Sequence, residues 1–133
     1  SIFGLTRGTS KAHLVRAALE AICYQTKDLV DAMREDGVNL HGQLRVDGGL
    51  ANNHWFLSYL ADCTQFEVCK SANADTTVLG VALLAGLHVG FFDSIQQLKQ
   101  FWHSDYQVQA KADTKHIDDA YKKTCSTSIL SVW

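Results

Sequence analysis

The sequence predicts an α/β fold, helix-rich and built around a small parallel βαβ unit. Two β-rich runs, residues 43–47 and 66–70, flank a helical run at residues 52–62. Two strands joined through a helix pair in parallel. Elsewhere apolar residues recur at helical spacing over long stretches. The 133 residues are 47% hydrophobic and 20% charged, ordinary usage for one domain able to bury a core.

Each element has its own signal. Residues 1–9 carry Gly4, Thr6, Gly8 and Thr9, which is loop chemistry. The chain opens on Ser1, and Ser-Ile-Phe-Gly-Leu-Thr-Arg-Gly-Thr reads as the middle of a longer protein. Thr9 or Ser10 can cap a long helix over residues 10–36, which Gly37 ends. Its apolar positions are Leu14, Val15, Ala18, Ile22, Leu29, Val30 and Met33. Gly48 and Gly49 end the first strand, and Trp55, Phe56, Tyr59 and Leu60 form the stripe of the next helix. Thr76 or Thr77 opens an apolar helix from Val78 to about Val89. There Gly80, Ala82, Ala85 and Gly86 suit tight packing against a neighbour. A helix over 94–102, a polar loop over 103–112, a helix over 113–125 and an apolar tail over 126–133 complete the reading.

The charge balance, 12 basic against 14 acidic residues, gives no footprint for nucleic acid and no single-sign block for a membrane surface. No segment reaches the ~20 apolar residues of a membrane span. Cys23, Cys63, Cys69 and Cys125 form no C-x-x-C pair. They read as reduced, mostly buried thiols of a cytoplasmic protein. The six histidines show no metal-binding spacing. Asp62, Asp75, Asp93 and Asp105 carry no spacing signal and read as solvated or capping carboxylates.

The informative segment is Arg45-Val46-Asp47-Gly48-Gly49-Leu50-Ala51-Asn52-Asn53. A strand ends, two glycines turn the chain and a helix begins. Glycine lets a backbone take unusual φ values and come close to a ligand, and a helix start presents unpaired N–H groups to anions. A nucleotide phosphate suits such a place, although a Gly-Gly turn alone also serves simply as a turn. The loop Gly4–Thr9 is a second candidate, without the Gly-Lys-Ser/Thr end of a Walker A loop. No arrangement for nucleophilic catalysis is present.

Three segments in this order, GLTRGTSKAHLVRAALEAICYQTKDLVDAM, LRVDGGLANN and DTTVLGVALLAGLHVGFF, resemble the C-terminal part of the glycerol kinases of the FGGY carbohydrate kinase family, over about residues 3–102. The resemblance implies an actin-like, ribonuclease-H-like ATPase fold, and ATP-dependent phosphorylation of glycerol with Mg²⁺. It implies nucleotide contacts at Gly49 and Asn53, with Gly48 shaping the same turn. The catalytic aspartate, the glycerol contacts and the magnesium ligands of the family lie upstream of this segment, so the chain alone is expected to be inactive. Ser71 stands where the family often has Pro, Asp75 replaces a usual Glu, and residues 56–62 replace a Met- and Gln-rich version. These departures leave open a kinase for another sugar or polyol, or a non-catalytic nucleotide-binding or regulatory module. The family's sheet has strands that precede this segment, so an unpaired edge, and with it homo-oligomers, is expected.

Overall fold

The computed structural model describes residues 2–73, 75–111 and 113–129, with 127–129 described by backbone alone. Helix α1, Lys11–Glu35, begins at Ser10, whose side chain accepts from the His13 backbone while His13 Nδ1 accepts from the Ser10 N–H at 3.1 Å. It ends at Gly37, φ +81°, where the Gly37 and Val38 amides return to the Arg34 and Met33 carbonyls. Both ends therefore lie where the cap residues place them. Strand β1, Gln43–Val46, leads through a short 3-10 turn, Gly49–Asn52, into helix α2, His54–Thr64. Strand β2, Glu67–Ser71, then pairs parallel to β1, Gln43 opposite Glu67 and Val46 opposite Lys70. The predicted βαβ unit is present.

Helix α3, Thr76–His88, starts with no side-chain cap, so neither Thr76 nor Thr77 serves as one. The helix predicted over 94–102 is shorter: α4 covers Ile95–Leu98, and a 3-10 turn covers Lys99–Phe101. The predicted loop over 103–112 contains strand β3, Ser104–Val108, antiparallel to β2. The sheet is therefore mixed, in the order β1-β2-β3. Ser104, Tyr106 and Val108 turn partly inward and Asp105 and Gln107 outward, an alternation whose apolar half includes only two apolar residues. The last helix, α5, runs over Lys115–Ile129; residues 130–133 of the predicted tail lie outside the described residues.

The core sits on α2. Phe56, Leu57, Leu60, Ala61 and Cys63 join Cys23 and Tyr24 of α1, Val68 of β2 and Ile117 of α5. The Tyr24 and Tyr59 hydroxyls meet at 2.8 Å inside this contact. Burial first, and then the hydrogen bond to Tyr24, push the Tyr59 phenol well above its ordinary range. Asp62, expected to be solvated, is buried: its Oδ1 accepts from the Lys111 backbone N–H at 2.8 Å, and the Lys111 ammonium lies 3.5 Å from Oδ2. A carboxylate can be buried once it is hydrogen-bonded and paired, and this one ties the β3–α5 connection to α2. Asp105 is ion-paired to Lys70 at 3.2 Å.

Two expectations about helix faces change. Leu14, Val15, Ile22, Leu29 and Met33 remain exposed on α1, and the buried positions are Cys23, Tyr24 and Val30. Helix α3 has no buried residue, and its Val78, Val81 and Leu84 face outward. Apolar periodicity identifies a helix without saying which stripe meets the partner at hand. Among the described residues no helix is long and apolar enough to cross a membrane.

The small residues of α3 are likewise not equivalent. A Cβ on Gly80 would meet no atom within 4 Å, whereas one on Gly86 would lie 2.8 Å from Phe92 Cε2. That ring is held edge-on by Phe91 and Phe101. Gly80→Ala should therefore stabilise the chain by about 0.5–1 kcal/mol through helix propensity. Gly86→Ala should fall below it by about 1–2 kcal/mol, because the ring must shift. Urea denaturation of the two variants checks the difference; equal stabilities would contradict the packing described for Phe92.

Candidate nucleotide site at the ends of two parallel strands

Because β1 and β2 are parallel, the loops at their carboxyl ends lie side by side, where open α/β sheets take ligands. A cavity of about 190 Å³ opens there. One wall is Asp47, Gly48, Gly49, Ala51 and Asn52; the other is Lys70, Ser71, Ala72 and Asn73. Gly48 has φ +87° and ψ −177°, a conformation open essentially to glycine alone. Gly49 begins the 3-10 turn, and its φ is not positive. A Cβ at either position would meet no protein atom within 4 Å. The fold thus explains glycine at 48 by backbone conformation, and gives no internal reason for glycine at 49.

Asn53 stands at the entry to α2 with φ −94° and ψ +101°. Its Oδ1 accepts from the Phe56 N–H at 3.1 Å, which caps the helix. Its exposed amide NH₂ remains free to donate. Of the sequence-predicted trio, Gly48 and Gly49 line the cavity, and Asn53 stands just past its lining at the same turn.

The second wall was missed from the sequence. Ser71 is buried, and its Oγ accepts from the Asn73 N–H at 3.1 Å. Asn73 Oδ1 accepts from the Asp75 N–H at 3.1 Å, and the Ala72 N–H donates to the His103 carbonyl at 2.9 Å. The loop after β2 is thereby held by its own side chains and by the segment before β3. Lys70, whose partner is Asp105, brings the cation of this wall opposite Asp47. On the outer side Arg45 lies 4.0 Å over the Trp102 ring, a contact that fixes the end of β1 against the chain leading into β3. The signal that could have found this wall was the parallel pairing itself, which dictates that the loop after the second strand lies beside the loop after the first.

The other candidate, the loop Gly4–Thr9, closes on itself. The Thr6 N–H donates to Thr9 Oγ1 at 2.9 Å, and the Thr9 N–H returns to the Thr6 carbonyl at 3.0 Å. It contributes nothing to the cavity, and Arg7 is exposed. Among the described residues no group of three or more His, Cys, Asp or Glu could hold a metal ion. The Cys69 thiol lies buried in β2, and burial, followed by the charge of Glu67, pushes it up.

The model of the FGGY family of carbohydrate kinases, C-terminal domain, matches residues 1–89. The glycerol kinase of Coxiella burnetii (strain RSA 493 / Nine Mile phase I) is 46% identical over 121 residues, 91% of this chain and 24% of that protein. The glycerol kinase of Clostridium beijerinckii is 48% identical over 102 residues, 77% of this chain and 20% of that protein. The crystal structure of Plasmodium falciparum glycerol kinase with ADP superposes with a TM-score of 0.81 at 31% identity, covering 100% of this chain and 27% of that one. The xylulose kinase of Rhodospirillum rubrum, at 19% identity and a TM-score of 0.78, shares the fold. That fold is the actin-like, ribonuclease-H-like one. The chain spans about a quarter of the length of the curated relatives it matches.

The two glycines should separate in a stability measurement. Gly48→Ala forces a side chain into a glycine-only conformation and should cost about 1–3 kcal/mol. Gly49→Ala should stay within about 0.5 kcal/mol of the parent, since nothing crowds it. Guanidinium melts of both variants decide this; equal losses would mean that the turn is not shaped as described.

Proposed function

Since the chain belongs to the FGGY family of carbohydrate kinases, we propose that it is the nucleotide-side segment of a glycerol kinase, which transfers the γ-phosphoryl group of ATP to glycerol to give glycerol 3-phosphate. The observation that carries this reading is the glycine at position 49. Neither its φ nor any neighbouring atom of this chain calls for glycine, and what glycine leaves there is room for close approach of a ligand to the backbone. The relatives named glycerol kinase and the ADP complex of the Plasmodium enzyme make a nucleotide the natural ligand.

In this reading Gly48 sets the turn, Gly49 lets the nucleotide come against the main chain, and Asn53 donates from its amide while its oxygen caps α2. The ligand's approach to the main chain is then fixed before it arrives, because the turn runs directly into α2, which Asn53 caps, and follows the end of β1, which is paired with β2. Phosphoryl transfer depends on positioning and charge stabilisation. The catalytic carboxylate and the magnesium ligands are proposed to come from outside this chain. When bound, magnesium would neutralise developing charge on the phosphates. This chain's contribution is to hold and orient the nucleotide.

Titration calorimetry with ATP and ADP tests the assignment, with Asn53→Ala and Asn53→Asp as the paired variants. Both should lose at least tenfold in affinity. Asn53→Asp keeps the capping oxygen and so should keep the stability that Asn53→Ala loses, about 1 kcal/mol. No glycerol 3-phosphate should form in either case. Binding unchanged by both variants would remove Asn53 from the site.

A further consequence concerns assembly. Among the described residues the outer edge of β1 is unpaired in the three-stranded sheet, and α3 leaves Val78, Val81 and Leu84 exposed. Exposed edges and apolar faces are templates for association. We expect the chain by itself to self-associate, and a monomeric mass by light scattering at high concentration would contradict this.

A further inference from the structure

Four cysteines are left over by the nucleotide site, and two of them meet. Cys23 on α1 and Cys63 on α2 are both buried in the core that the two helices share. Cys23 adjoins Tyr24, Cys63 lies one helical turn after Tyr59 and beside Thr64, and Cys63 is the foremost influence that pushes the Cys23 thiol up. The helices around them are pinned by two contacts: the Tyr24 and Tyr59 hydroxyls at 2.8 Å, and the Arg34 guanidinium donating to the Thr64 carbonyl at 3.4 Å. Cys69 lies apart in β2, and Cys125 is half-buried on α5 beside Tyr121.

We propose that Cys23 and Cys63 are a redox pair, which a peroxide converts to an intrachain disulfide that staples α1 to α2. The step balances. One thiol sulfur attacks a peroxide oxygen and the O–O bond breaks; with hydrogen peroxide this gives a sulfenic acid and one water. The second thiol sulfur attacks the sulfenic sulfur, the S–O bond breaks, and the departing oxygen leaves as a second water with the thiol's proton. Two thiols and one hydrogen peroxide become one disulfide and two waters; the sulfurs lose two electrons and the peroxide gains them.

The setting decides how the pair behaves. The thiolate is the reactive form, and contact with Cys63, burial and the charge of Glu20 all push the Cys23 thiol up. The pair is therefore slow to react, and oxidation follows opening of the α1–α2 contact. Closure to an S–S distance of about 2.05 Å then draws the helices together. The segment between the two cysteines contains β1, Gly48, Gly49 and Asn53. The disulfide would thus fasten the nucleotide-binding turn at both ends of its own stretch of chain, whatever ligand the turn takes.

Hydrogen peroxide treatment followed by intact-mass measurement and peptide mapping tests this. The unsubstituted chain should lose about 2 Da, with the Cys23 and Cys63 peptides joined, and dithiothreitol should restore the mass. The oxidised chain should melt roughly 5 °C or more above the reduced one. Cys23→Ala and Cys63→Ala should each abolish the 2 Da loss, while Cys125→Ser should keep it. Gain of oxygen without loss of two hydrogens, a link through Cys69 or Cys125, or covalent dimers on a non-reducing gel would overturn the proposal. If the alanine variants lose their far-ultraviolet circular dichroism, the peptide map of the unsubstituted chain still decides.

Discussion

The packing of α2 against everything around it is the constraint on which the rest of the structure depends. From Phe56 to Thr64 it buries all but one residue, so it must be covered on more than one side. Helix α1 covers one side through Cys23 and Tyr24, the sheet covers another through Val68, and α5 adds Ile117. A fully buried leucine such as Leu57 is worth about 2–5 kcal/mol against alanine, more than any surface ion pair of this chain, whose usual worth is about 0–1 kcal/mol. The ion pairs of α1, Arg16–Glu20, Lys27–Asp31 and Arg34–Asp31, therefore trim the helix rather than place it. Its placement comes from the buried tyrosine pair and the apolar contacts beside it.

The same helix explains which features were legible in the sequence. The β1–turn–α2–β2 unit could be read because each of its signals is local: a strand run, a glycine pair, a cap and an apolar stripe. Strand β3 could not, because its inward positions are Ser104, Tyr106 and Val108 and its pairing is with β2, more than thirty residues earlier. A polar strand at the margin of a sheet looks like a loop until its partner is known. Asp62 was misread for a related reason. A carboxylate in the middle of a helix is usually solvated, and only the tertiary approach of the Lys111 backbone makes burial tolerable. The exposed apolar stripes of α1 and α3 mark the opposite limit. Periodicity gave their helicity and could not give their neighbour, and in a chain about a quarter as long as its relatives the neighbour need not be within it.

The candidate site divides along the same line. Gly48 and Gly49 were legible because an unusual turn needs an unusual residue, and the fold then separates their roles: one glycine serves the backbone, the other leaves room. Lys70, Ser71 and Asn73 were not legible, because nothing about them is unusual until parallel pairing brings their loop beside the turn. Asn53 belongs to both groups. Its oxygen is committed to the Phe56 N–H and its amide nitrogen is not, so one side chain fixes the helix and still presents a donor. In the nucleotide reading such a residue would couple stability to binding. A ligand that takes the amide also orders the cap, and loss of the cap loosens the turn that the ligand must meet. The nucleotide reading therefore requires that this turn, α2 and the β2 loop hold together as one unit: the parallel pairing of Val46 with Lys70 joins the strand ends that carry the two loops, while the hydrogen bonds among Ser71, Asn73 and Asp75 shape the facing wall itself.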